Sequence, residues 1–191
     1  MASTLWNRIS GFEAAGAEAS AQRPSRVEDE VVLLFEQLRV PILRYLLSFR
    51  IPAADAEEIA QEVFLSLFQH LRQGKPRVNM QGWVFRVAHN LALKHHARAR
   101  RDTERFHHRA DLSEVAGDSA PAPDERMQVI ERQQRLLAVV RAMPDQDQCC
   151  LSLRAEGLRY RDIAEVLGMS LGAVASSLER SLARLARADG H

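Results

Sequence analysis

Cysteine is scarce. Cys149 and Cys150 are the two in 191 residues, and they are adjacent. Helical neighbours point about 100° apart, a poor geometry for pairing, so no disulfide framework is expected. They read as small buried apolar residues in a reducing compartment, with a regulatory thiol as the other reading. Long apolar runs are missing too: none approaches the roughly 18 residues a bilayer span needs. The opening "MASTLWNRISGFEAAGAEAS" lacks the leading basic cluster and continuous apolar stretch of a secretory signal. A cytoplasmic protein with no membrane insertion is expected. Nor is there a nucleotide-binding glycine loop, a Ser/His/Asp set or a distinctive carboxylate pair, so neither enzyme activity nor a cofactor is expected. His95–His96 and His107–His108 lie twelve positions apart, roughly 18 Å along a helix, too far to share an ion, and no cysteine lies near. No metal site is expected.

Glycine and proline are also few, nine and seven. Runs of Leu, Ala, Glu and Arg with little β-branched alternation predict an all-α fold. The near-neutral total of 26 basic and 25 acidic residues conceals blocks of one sign. Residues 53–70 hold Asp55, Glu57, Glu58 and Glu62 and no Lys or Arg. Residues 75–110 hold Lys75, Arg77, Arg86, Lys94, Arg98, Arg100, Arg101, Arg105 and Arg109 against Asp102 and Glu104. Residues 111–125 turn acidic again, with Asp111, Glu114, Asp118, Asp124 and Glu125. Such alternation suits one surface for a polyanion and another for a basic partner.

The pattern divides the chain into two small helical domains. Residues 1–26 read as a mobile tail, within which Leu5, Ile9 and Phe12 make a short amphipathic face beside Trp6. Residues 27–105 read as three helices. In the first, over 28–49, Val32, Leu34, Phe35, Leu38, Ile42, Tyr45, Leu46 and Phe49 keep a helical period, and Pro41 is expected to kink or restart it. The second spans 55–72, with Ile59, Val63, Phe64, Leu67, Phe68 and Leu71 inward and Asp55 as N-cap or first-turn acid. The third runs from about Met80 past Arg101, after the loop "RQGKPRVNMQG". Residues 106–126 read as a flexible acidic linker. Residues 127–188 carry four further helices: 127–142, 145–156, 160–167 and 171–188.

Two segments carry chemistry. In "YRDIAEVLGMSLGAV", Ile163, Ala164 and Leu167 form an inner face and Gly168 permits a left-handed turn. Ser170 caps the next helix, whose Val174 and Leu178 return to the core. This is a helix-turn-helix pattern, shared with any αα-corner. Its expected reading face carries Ala175, Ser177 and Glu179 and little positive charge before Arg180. The second segment is "GWVFRVAHNLALKHHARARR", in which aromatics adjoin a basic helix. That suits contact with unstacked bases; the other reading makes Trp83 and Phe85 core residues and the arginines a solvated face.

In this order the segments "DAEEIAQEVFLSLFQHL", "WVFRVAHNLAL", "MPDQDQCCLSLRAEGL" and "YRDIAEVLGMSLGAV" resemble regions 2 and 4 of the extracytoplasmic-function group of bacterial RNA polymerase sigma factors. The resemblance covers about two-thirds of the chain. It implies a region 2 bundle and a region 4 helix-turn-helix joined by the linker, which would thread the RNA exit channel. Asp55, Glu58, Gln61 and Glu62 would dock on core polymerase at the β′ clamp, with the β flap as a second contact. Lys75, Arg77, Asn79, Trp83, Arg86, Asn90, Arg98 and Arg101 would open and hold the −10 promoter element. Ser170, Ala175, Ser176, Glu179, Arg180 and Arg184 would meet the −35 element. An anti-sigma factor is a further implied partner. Family members usually carry Lys or Arg where Ala175 and Ser177 stand, and an acid where Lys94 stands, which puts strong −35 contact in doubt. Two other readings keep these residues: a sigma-like interaction protein that docks polymerase without recognising promoters alone, and a free-standing helix-turn-helix regulator.

Overall fold

The computed structural model describes residues 26–105 and 124–190. They form seven helices: α1 (Arg26–Ser48), α2 (Ala53–Arg72), α3 (Met80–Arg105), α4 (Asp124–Arg141), α5 (Asp145–Ala155), α6 (Tyr160–Leu167) and α7 (Leu171–Asp189). No strand occurs among the described residues, as the composition requires. The Leu5–Phe12 stub and most of the expected linker fall outside them. Residues 124–126, expected as linker, belong to α4 instead. No helix among the described residues is long and apolar enough to cross a membrane.

Helices α1 to α3 pack on a core of Leu38, Ile42, Leu46, Ile59, Val63, Leu67, Leu71 and Val84. Ala56, Ala60, Ala88 and Ala92 are fully or almost fully buried, and side chains this small let the helices approach closely. The expected restart at Pro41 does not occur: α1 runs through it. Proline removes one i→i−4 bond, and the buried anchors Leu38, Ile42, Tyr45 and Leu46 on either side hold the helix together. Two residues of the periodic set lie outside the core. Val32 is 52% exposed and Phe35 is 40% exposed, Phe35 packing edge-on against Phe64.

The second group behaves as its punctuation predicts. Gly168 takes φ 64° and ψ 31°, closing α6 in the left-handed conformation. Ser170 Oγ accepts the Ala173 N–H at 3.2 Å and starts α7. Ile163, Val174 and Leu178 are buried, as expected, and Val166 joins them.

Tertiary structure adds a core that both groups share. Tyr45 of α1 and Phe85 of α3, both fully buried, belong to one cluster with Cys150, Leu153, Leu158, Ile163 and Leu178. Their rings meet edge-to-face at 5.6 Å. Around the seam, Arg44 binds both Glu156 oxygens at 2.8 and 2.6 Å. Gln81 donates to the Glu156 carbonyl at 3.2 Å, and Asn79 donates to Asp162 at 2.8 Å.

At the centre the Tyr45 hydroxyl and His89 Nδ1 share a hydrogen bond of 2.9 Å. Burial raises the tyrosine pKa and lowers that of His89, so both are neutral in the fold. The unfolded chain protonates this histidine near its ordinary 6.5, before the folded chain does. Stability should therefore fall as pH drops below that value. Urea midpoints taken between about pH 7.5 and 5.5 should decline more steeply for wild type than for His89→Gln. Parallel curves would take His89 out of the acid response.

Candidate functional site

The acidic block of α2 divides by direction. Its apolar stripe, Ile59, Val63 and Leu67, faces the core. Glu57 faces α1, where Arg39 holds both its oxygens at 2.9 and 3.0 Å. Asp55 accepts from His95 Nε2 of α3 at 3.1 Å, so this member of the expected docking set is partly spent inside the bundle. Glu58, Gln61 and Glu62 are exposed and have no partner among the described residues. Leu65, one turn further on, is 57% exposed. At helical spacing these make one acidic patch with an apolar end, and sequence reasoning missed the leucine.

The loop before α3 is tightly held. His70 Nε2 meets the Pro76 carbonyl at 3.0 Å, and Arg77 pairs with Glu30 at 3.3 Å. Asn79 takes φ 52°, which asparagine tolerates better than most side chains. Its Oδ1 accepts the Gly82 N–H at 3.2 Å, satisfying one orphan donor of α3. A Cβ at position 82 would run into that amide, so any larger residue there would push the Asn79 side chain aside. Lys75 and Val78 stand in solvent, Val78 at 83% exposure.

For the aromatics of α3 the core reading holds, and its basic residues face solvent. Phe85 is core, and Trp83 is half-buried with its ring 4.5 Å from His70. Trp83 is thus packed in part against α2. The basic residues are outside. At 100° per residue Arg86, Asn90, Leu93, Ala97 and Arg101 fall within a stripe of about 80°, with Lys94 and Arg98 on its flank. All of these are exposed. The stripe is roughly 22 Å long, the span of six or seven nucleotides of one strand.

The recognition-helix assignment needs correction at Ser177. This residue is 1% exposed, not on a reading face. Its hydroxyl donates to Asp147 at 2.6 Å, and Arg180 donates to the same carboxylate oxygen at 2.9 Å. Asp147 lies in the first turn of α5 and is 3% exposed, so charged and hydroxyl donors must both reach it. This clamp sets the roll of α7. Gly172, Ala173, Ala175, Ser176, Glu179 and Ala183 then face solvent, a surface almost without positive charge. Arg180 is partly committed to Asp147, and the Ser170 hydroxyl is spent as the cap. Arg184 lies elsewhere. With Arg135 and Arg187 it lines a cleft of about 940 Å³ whose other walls are Ala138, Val139, Ala142, Met143, Pro144 and Ala188.

The structural weight of Asp147, Glu156 and Asp162 was not legible in the sequence, where each is an acid among many. Neither thiol is activated by its surroundings. Burial pushes Cys149 up to about 12, with Cys150 and Asp145 adding to it, and burial also raises Cys150, so neither supplies thiolate near neutrality.

Comparison with known proteins agrees with this layout. Residues 34–102 match the family described as Sigma-70 region 2, and residues 133–185 match Sigma-70, region 4. The probable RNA polymerase sigma factor RfaY of Xanthomonas campestris pv. campestris is 33% identical over 132 residues, covering 68% of this chain and 33% of the relative. The ECF RNA polymerase sigma factor SigE of Mycolicibacterium smegmatis is 30% identical over 150 residues, covering 74% and 55%. The chain thus spans a third and just over half of these two relatives. The sigma factor RpoE of Bartonella quintana, solved in complex with the anti-sigma factor NepR, shares the fold. It matches with a TM-score of 0.62 at 17% identity, over 84% of this chain and 96% of that one.

The Asp147 clamp can be checked by unfolding in urea. Asp147→Ala strands a buried hydroxyl and a guanidinium and should cost about 1–3 kcal/mol. Ala175→Lys, at an exposed position, should stay within about 0.5 kcal/mol of wild type. Equal midpoints for the two variants would show that Asp147 does not hold α7.

Proposed function

The chain belongs to the sigma-70 family of RNA polymerase sigma factors, and on that premise we propose that it is an extracytoplasmic-function sigma factor directing core polymerase to promoters. One observation carries the reading. A single three-helix bundle presents an unpaired acidic patch on α2 and a solvent-facing basic stripe on α3, two surfaces of opposite sign for two different partners. The polymerase supplies the nucleotidyl-transfer chemistry; this chain supplies binding energy.

On this reading Glu58, Gln61 and Glu62, with Leu65 at the patch end, dock on the β′ clamp, and Asp55 braces α2 against α3. Lys75 and the stripe from Arg86 to Arg101 hold the −10 strand by its phosphates, with Asn90 near the middle of the stripe. Arg77 and Asn79 shape the loop at its end, and Trp83 positions that loop by packing on His70. Unstacking a base costs a few kcal/mol, and contacts to the freed base return about 1–3 kcal/mol each. The −35 contact is the weaker one. Ala175, Ser176 and Glu179 neutralise no phosphate, so Arg180 and Arg184 act at the margin of the groove. The arginine-lined cleft between α4 and α7 suits an apolar segment with acidic flanks and is where the β flap would dock. The likeness to the Bartonella complex supports an anti-sigma factor as a further partner.

Run-off transcription with purified core polymerase and a promoter library tests the reading; footprinting of an operator without polymerase would replace it by a free-standing regulator. Glu58→Lys with Glu62→Lys should weaken core binding by several-fold to about a hundred-fold. Unchanged affinity in a titration would remove the docking face. Asn90→Ala should leave core binding intact and lower open-complex formation on duplex promoters. A template carrying a pre-melted bubble should not restore it, because the contact to the strand itself is lost. Normal transcription by Asn90→Ala from duplex would sink the opening assignment.

A further inference from the structure

The outer side of α1 is apolar. Val32, Leu33, Val40 and Leu47 are 52, 57, 52 and 48% exposed. At 100° per residue they fall, with half-buried Leu43, within a stripe of about 100°. It is turned away from the face that carries Leu38, Ile42, Tyr45 and Leu46 into the core. The stripe is roughly 22 Å long. Glu36 is the one charged residue in it, exposed and without a partner among the described residues. The outward side of a surface helix is ordinarily polar, so a helix apolar on two sides has a second partner to meet. Neither the acidic patch of α2 nor the basic stripe of α3 includes this surface.

The sequence holds a matching piece that the proposed function does not use. Leu5, Ile9 and Phe12 share one helical face with Trp6 on its flank, and Arg8 is the one charged side chain in the first twelve residues. From Val27 to Leu38, by contrast, every charged residue is an acid: Glu28, Asp29, Glu30 and Glu36. An apolar face with a single cation thus matches an apolar stripe with a single acid. The chain is long enough to bring them together. Fourteen peptide steps separate Phe12 from Arg26, up to about 46 Å when extended. Glu36 lies ten residues into α1, about 15 Å along the axis. A second copy of the chain fits less well. Four half-exposed side chains amount to a few hundred Å², and a specific two-chain interface takes roughly 800 Å² from each partner. A segment of the same chain meets its site at an effective concentration on the order of millimolar and needs less area.

We propose that segment 5–12 packs on the outer face of α1 as an added element of the N-terminal bundle. Leu5, Ile9 and Phe12 lie against Val32, Leu33 and Val40, and Arg8 lies beside Glu36. Apolar burial supplies most of the binding, and the ion pair sets the register. The contact belongs to the bundle itself and requires neither polymerase nor promoter.

Photo-crosslinking of the full chain tests this. A benzophenone side chain replaces Val40, and the captured peptides are mapped by mass spectrometry on an equal mixture of isotope-labelled and unlabelled chain. Peptides from residues 1–23 should be captured, and only within chains of one label. Ile9→Asp with Phe12→Asp should cut the yield about tenfold or more, because each change puts a charge where an apolar side chain is buried. Glu36→Arg, at an exposed position, should lower the yield roughly two- to five-fold, and adding Arg8→Glu should restore it, as one exposed ion pair requires. Capture across labels would give the face to a second copy and overturn the proposal. So would capture of a polymerase subunit, on adding core enzyme, by a chain that captures none of its own residues 1–23. Yields indifferent to Ile9→Asp and Phe12→Asp would overturn it as well, as would no capture together with amide exchange in residues 4–12 as fast as in the urea-unfolded chain.

Discussion

Tyr45 and Phe85 are large and wholly buried, and the three helices that carry them do not bury them alone. Each contributes about 1.5–3 kcal/mol when removed from water, and here α5 and α6 help to remove it. The tyrosine hydroxyl must also find a partner in that dry space, and leaving it unmade would cost about 1–3 kcal/mol. His89 provides it and stays neutral in doing so. From this pair follow the position of α6 against the loop and the approach of Asp162 to Asn79.

A second constraint is local to the C-terminal group. A buried carboxylate at the start of α5 demands donors, and α7 answers with Ser177 and Arg180. The helix is thereby fixed in the one roll that turns its neutral residues outward. The poverty of charge on that face is therefore a property of packing as well as of composition. A serine that could have met DNA is used as structural glue, and one arginine is partly used the same way. The remaining arginines gather on the α4 side, where the surface is a cleft and not a convex reading edge.

The sequence by itself determined the helices, because periodicity, Gly168, Ser170 and the scarcity of proline are local signals that need no partner. It determined the family, because four motifs in order are far more specific than any one of them. It also determined which blocks are acidic and which basic, since charge is read directly from composition. It did not determine which members of a block are available. Asp55 and Glu62 look alike in sequence, yet one faces His95 and the other faces solvent. Ser176 and Ser177 differ by one position, and the 100° between them separates a free hydroxyl from a buried one. Tertiary structure alone decided those, and it alone decided that the two halves share a core. The reason is physical: burial and pairing are set by what crosses from another helix, and residues 79 and 162, or 45 and 89, have no relation along the chain until the fold brings them within hydrogen-bonding distance.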